Sequence, residues 1–135
     1  MIAYKVLYRK PDNTLISCGV IPGNMKFTYS QDKENFPLIE YSKFFVFKTL
    51  INAIKFKNSI LNDYPFGSIE IWECETPYLD EVFKLPSIWW SLLSFKEIKK
   101  YWESPNSLDE DYLRDCSEGC CKTNSIKLIK KYDCI

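Results

Sequence analysis

Hydrophobic and polar positions alternate with period two near both ends of the chain and take a helical period once, near the middle. Ile2, Tyr4, Val6 and Tyr8 share one side of the first such stretch, and Ala3, Lys5, Leu7 and Arg9 share the other. Alternation in β-branched and aromatic residues predicts a strand. Pro11-Asp12-Asn13 supplies turn chemistry, so Thr14 to Val20 is expected to return as the second strand of an antiparallel hairpin. Met25 to Tyr29 predicts a short third strand after Pro22-Gly23-Asn24. Ser30 to Glu40 is polar and aperiodic and predicts a surface loop.

The densest patterning runs from Tyr41 to Thr76 and predicts strand, helix, strand. Lys43 to Lys48 is a short apolar run suited to a buried strand. From Thr49 the period changes: Leu50, Ala53, Ile54, Ile60 and Leu61 fall on one side, Asn52, Lys55 and Ser59 on the other, and Phe56 widens the apolar stripe. Thr49 is suited to cap this helix, and Asn62-Asp63-Tyr64-Pro65 to end it, since the residue before proline avoids helical geometry. In Gly67 to Thr76, Ile69, Ile71, Glu73 and Glu75 point one way, and Glu70, Trp72 and Cys74 the other. Neither face is purely apolar, so this strand is expected to run from the core toward an edge or cleft.

Pro77 to Leu93 is apolar and irregular. Ser94 with Glu97 has capping-box spacing ahead of Phe95, Ile98 and Trp102, and Ser107 is suited to cap a short acidic helix through Leu113. Cys116 to Cys121 predicts a loop. Ser125 to Tyr132 alternates again, Ile126, Leu128 and Lys130 against Lys127, Ile129 and Lys131, and predicts a closing strand. Together these elements predict one α+β domain over residues 1–135. It has a mostly antiparallel sheet of about five to six strands, one main packing helix over about 49–62, and short helices in the 77–115 region.

Composition narrows the chemistry. Lys+Arg and Asp+Glu are both 18 among 135 residues, so no global field draws the chain to nucleic acid or an anionic membrane. There is no His, which removes the commonest general base and excludes a Ser-His-Asp or Cys-His centre within one chain. No Gly-rich phosphate loop is present, no segment is apolar enough to span a bilayer, and no signal sequence is visible. The expected setting is therefore cytoplasmic, with the 6 Cys as free thiols.

Three residue sets could carry chemistry. Cys116, Cys120, Cys121 and Cys134 could supply four thiolates to zinc, but the three-residue gap and the adjacent pair depart from the usual ligand spacing. No metal and no cofactor is expected. Glu73 and Glu75 share a strand face and, with Arg9, resemble the Arg and Glu-x-Glu set of mono-ADP-ribosyltransferases; the Ser-Thr-Ser motif of that family is missing, with only Tyr41-Ser42-Lys43 in its place. That reading requires Arg9 and Glu75 to face one cleft. Tyr8, Arg9, Lys26, Tyr29, Lys43, Trp89 and Trp90 combine rings and cations suited to a nucleotide or another phosphorylated ligand.

Tyr4-Lys5-Val6, Ser17, Phe45-Val46-Phe47-Lys48 leading into a helix with Ala53 and Phe56, Ile71-Trp72-Glu73-Cys74-Glu75, and Ser125 to Lys130 together resemble small uncharacterised proteins of phages and other large DNA viruses. The resemblance implies a viral accessory protein, cytoplasmic in the host cell. It brings no catalytic residues with it. The expected function is non-enzymatic binding of a host protein or a small nucleotide. The alternatives are a transferase-like enzyme and a structural or assembly component, for which a homodimer is the natural form.

Overall fold

The computed structural model describes residues 1–18, 28–31, 33–37, 43–64, 66–82, 84–86, 113–115 and 119–132. The fold is α+β, built on a curled antiparallel sheet. Its strands are β1 (Ile2–Arg9), β2 (Leu15–Ser17), β3 (Glu34–Asn35), β4 (Phe44–Phe47), β5 (Ser68–Glu75), β6 (Asp80–Glu81), β9 (Cys120–Thr123) and β10 (Ile126–Tyr132). Their order is β3-β10-β5-β1-β4-β9-β6, with β2 paired to β1 off this path. β7 (Lys84–Pro86) and β8 (Leu113–Asp115) form a separate antiparallel pair. Among the described residues no helix is long and apolar enough to cross a membrane.

β1 is central because both of its faces are buried. Val6 and Leu7, adjacent in sequence, belong to different core clusters. β5 runs the length of β1 in an unbroken ladder from Ile2↔Glu75 to Arg9↔Ser68. Residues opposite one another share a face, so Ala3, Lys5, Leu7 and Arg9 lie with Cys74, Trp72, Glu70 and Ser68. That face is the interior of the curl, completed by Leu15, Tyr29, Phe44, Val46, Cys121, Ile126 and Leu128. The other face carries Val6, Ile69, Ile71, Phe47 and Cys120, and α1 (Leu50–Ile60) packs on it through Ala53, Leu50, Ile54, Phe56 and Ile60.

The expected helix and cap are observed. Thr49 has extended backbone geometry, and its hydroxyl accepts from the Asn52 amide at 3.2 Å. The α-helix closes at Ile60, and a 3-10 turn, Leu61–Asp63, carries the chain to Tyr64. β4 and β5 both pair antiparallel with β1. The β4–α1–β5 crossover therefore straddles β1, which is why one helix covers three strands.

The sequence pattern missed several short elements. The stretch Ser30 to Glu40 contains β3, paired to β10 at Ile126↔Asn35 and Lys127↔Glu34. Cys120 and Cys121 lie in β9, paired to β4, and not in a loop. Leu113, expected to close a helix, begins β8. β6 adds an acidic strand of 2 residues beyond β9. Elements this short have no period to read, and pairing alone creates them. The remaining helices expected over 77–115 and the segment Met25 to Phe27 lie outside the described residues. Thr28 bridges Ile16, consistent with the short third strand.

In β10 the ladder to β5 slips between Leu128 and Lys130. This bulge at Ile129 inverts the expected alternation, so Lys131, and not Lys130, follows Leu128 onto the interior face. Gly67 fixes the start of β5: a Cβ there would overlap both the Arg9 carbonyl oxygen and the Tyr8 ring. Gly67→Ala is therefore expected to destabilise the fold by about 1–3 kcal/mol, the scale of forced overpacking, read as a lowered midpoint in denaturant unfolding with the slope unchanged.

Candidate functional site

The β1–β5 register decides which expected site residues can meet. Arg9 stands opposite Ser68, at the far end of the ladder from Glu75, which stands opposite Ile2. Seven positions of strand separate them, about 24 Å. They also differ in face: Arg9 points into the curl with Glu70, whereas Glu73 and Glu75 point to the helix side with Tyr4 and Ile2. The cleft that the transferase-like reading requires is not formed.

Arg9 is instead committed to Glu70. Its Nε and Nη2 donate to the two carboxylate oxygens at 2.8 and 3.0 Å. The Trp72 indole N–H donates to the same group at 3.0 Å, and Lys131 Nζ lies 3.9 Å away, placed there by the bulge. The Glu70 side chain is only 9% exposed. Burial pushes its carboxyl up, but the hydrogen bonds from Arg9 and Trp72 and the charges of Arg9 and Lys131 outweigh burial and hold it below its ordinary 4.5. Its stabilising contribution is complete above that value and is lost as pH falls through the lower folded value. A forked, charge-assisted pair of this kind sets orientation. It leaves Glu70 no freedom to act as an acid or base.

The ring-and-cation set is divided as well. Tyr8 lies on the helix side and packs against Tyr64 with the rings tilted, their centres 4.7 Å apart. Tyr29 is buried in the interior, bonded through its hydroxyl to Ser17 and packed on Phe44. Lys43 donates to the Tyr78 hydroxyl and to the Asn124 side-chain oxygen at the end of β4. Lys26, Trp89 and Trp90 lie outside the described residues. The described members do not converge on one ligand. The cysteine set fails on geometry too. Cys120 belongs to the helix-side cluster and Cys121 to the interior cluster, so neighbours in one strand face opposite ways and cannot chelate one ion. Cys116 and Cys134 lie outside the described residues.

Two features were not singled out in the sequence. Lys5, an interior position on β1, is 8% exposed. Its Nζ donates to the Phe45 carbonyl at 2.6 Å and sits 5.9 Å from the centre of the Tyr29 ring. Among the described residues no carboxylate pairs with it. Burial holds its amine below the ordinary 10.5, and burial pushes the nearby Cys18 and Cys74 thiols up to about 12. The signal was present, since Lys5 alternates with Ala3 and Leu7, but a lysine at a strand position reads as surface.

The second feature is a polar and aromatic strip on the helix-side face of β1, β5 and β10. Tyr4 and Tyr132 meet at 6.0 Å between ring centres. The Tyr132 hydroxyl donates to Glu73 at 3.1 Å, and Lys130 Nζ lies 5.2 Å from the Tyr132 ring centre. A row of Ile2, Glu75, Lys127 and Glu34 crosses four strands beside them by direct register. Ile2 is 46% exposed, and Ile129, on the bulge, is 48% exposed. No family model, curated protein or solved structure matches this chain.

Lys5 yields a pH test with a definite sign. The unfolded chain holds the Lys5 proton up to about 10.5, and the folded chain gives it up at lower pH. Folding is therefore penalised by Lys5 at low and neutral pH, and the penalty fades as pH rises toward 10.5. Lys5→Met is expected to raise unfolding free energy by about 1 kcal/mol at pH 7, the direction seen when apolar groups replace buried ions. The gain over the parent protein should shrink as the measurement moves toward pH 10. Denaturant unfolding at a series of pH values checks both.

Proposed function

We propose that this chain is a non-enzymatic binding protein that recognises a protein partner through the strip around Tyr4, Glu73, Lys130 and Tyr132. The observation that carries this reading is the partly buried Tyr4–Tyr132 pair, held by the Tyr132 hydrogen bond to Glu73 and flanked by exposed Ile2 and Ile129. Protein interfaces favour tyrosines held rigid beside apolar side chains, with charges at the rim. The Glu34–Lys127–Glu75 row supplies that rim.

A small nucleotide is the less favoured ligand. Tyr8 and Lys43 stand apart from the interior-facing Arg9 and Tyr29, and Arg9 is already paired with Glu70. The resemblance to small proteins of phages and large DNA viruses supports a host protein as the partner. A homodimer across the same strip would be the form of an assembly component.

A photocrosslinking p-benzoylphenylalanine in place of Ile129, with the same probe at solvent-facing Asn58 as control, tests the strip in cells that make the protein. One dominant adduct is expected from the Ile129 probe and not from the Asn58 probe. Tyr132→Ala should lower its yield about tenfold, the effect of losing ~1.4 kcal/mol of aromatic contact. Identical adducts from both positions, or an adduct indifferent to Tyr132→Ala, would overturn the proposal.

A further inference from the structure

The main sheet is nearly divided in two. β1 and β5 share 8 register pairs, and β5 and β10 share 5. On the other side β4 and β9 share 4, and β6 and β9 share 2. Between the two groups, β1 and β4 share a single pair, Tyr4↔Phe47. Beyond it the strands part, and β2 takes over the edge of β1 from Leu7 to Arg9. Lys5 sits in this opening, and its Nζ donates to the Phe45 carbonyl of β4.

A second poorly satisfied group lies on β9, across β4 from β1. Thr123 of β9 stands opposite Phe44, which packs on the Tyr29 ring that faces Lys5. Thr123 is fully buried, and among the described residues its hydroxyl has no hydrogen-bond partner. Burying an amine without a carboxylate and a hydroxyl without a partner is unfavourable, and water would relieve both. On the outer face α1 spans the gap, packing on both Val6 and Phe47. On the interior side Ala3 and Leu7 of β1 share one core cluster with Phe44, Val46 and Cys121 of the other group, and Lys5 and Thr123 are polar residues buried beside them.

We propose that this seam is a hinge: β4, β9 and β6 move off β1 as one unit, strapped by α1, with Lys5 as the wedge that keeps the opening accessible. Few ladder bonds are lost, because one register pair holds the two groups together. The movement leaves β3, β10, β5, β1 and β2 intact. Local openings of this kind release the least-held contiguous unit of a fold.

Native-state hydrogen exchange in increasing guanidinium tests this on the whole chain. In the parent protein, amides of β4 and β9 should exchange as one group, about tenfold or more faster than those of β1 and β5, with a weaker denaturant dependence. β10 should follow β5. Lys5→Met should slow both groups by the same factor, about fivefold, because hydration of Lys5 would accompany partial as well as full opening. If β4 and β9 exchange together with β1 and β5 in the parent protein, there is no hinge. If Lys5→Met slows only the β1 and β5 group, Lys5 is not the wedge. The parent profile decides the hinge even if Lys5→Met does not fold.

Discussion

The β1–β5 ladder is the constraint from which the rest of this structure follows. Eight consecutive pairs without a slip lock two strands whose both faces are buried, and every other strand and the helix is placed relative to them. A slip of one residue would exchange the faces. If β5 slipped, Glu70 would leave the curl and Arg9, and Ile71 would lose α1. The energy of holding this register comes mainly from the apolar groups. Leu7, Ile71, Ile126 and Val46 are fully buried, at about 1.5–3 kcal/mol each. The forked Arg9–Glu70 pair is smaller in net effect. Its role is to make the wrong register costly, since a buried carboxylate without its guanidinium is strongly unfavourable.

The same register separates groups that composition alone would assemble. Arg9 with Glu73 and Glu75, Tyr8 with Tyr29, and Cys120 with Cys121 are each split between the two faces. What remains together is different: a closed ion cluster at one end of the interior, a buried amine at the sheet fork, and a tyrosine pair on the helix-side strip. Of these, the tyrosine strip borders exposed Ile2 and Ile129 and mixes aromatic, acidic and basic groups, and the proposed binding role rests on it.

Much of the frame was legible in the sequence. β1, α1, β5 and β10 each carry enough residues to show a period, β4 reads as a run of four apolar residues, and the Thr49 cap and the stop before Pro65 have local causes. β3, β6 and β9 were not legible as strands, because they run to 2–4 residues and are defined by pairing partners far away in the chain. The bulge at Ile129 has no local signature, yet it decides that Lys131 reaches Glu70. Lys5 was placed on the correct side of β1, but its burial depends on the curl of the sheet, which no pattern in eight residues encodes. The mixed faces of β5 suggest an edge or cleft near Glu73. Glu73 borders instead the tyrosine strip, as the acceptor for Tyr132, a pairing that joins residues 59 positions apart.

The central claim is that the β1–β5 register gives Arg9 to Glu70 inside the curl and leaves Glu75 on the opposite face. A pair of double-mutant cycles tests it most directly, comparing Arg9→Ala with Glu70→Ala and Arg9→Ala with Glu75→Ala by denaturant unfolding. The account expects a coupling of about 2 kcal/mol for the first pair, the scale of charge-assisted hydrogen bonds, and none for the second. Coupling between Arg9 and Glu75, with none between Arg9 and Glu70, would contradict it.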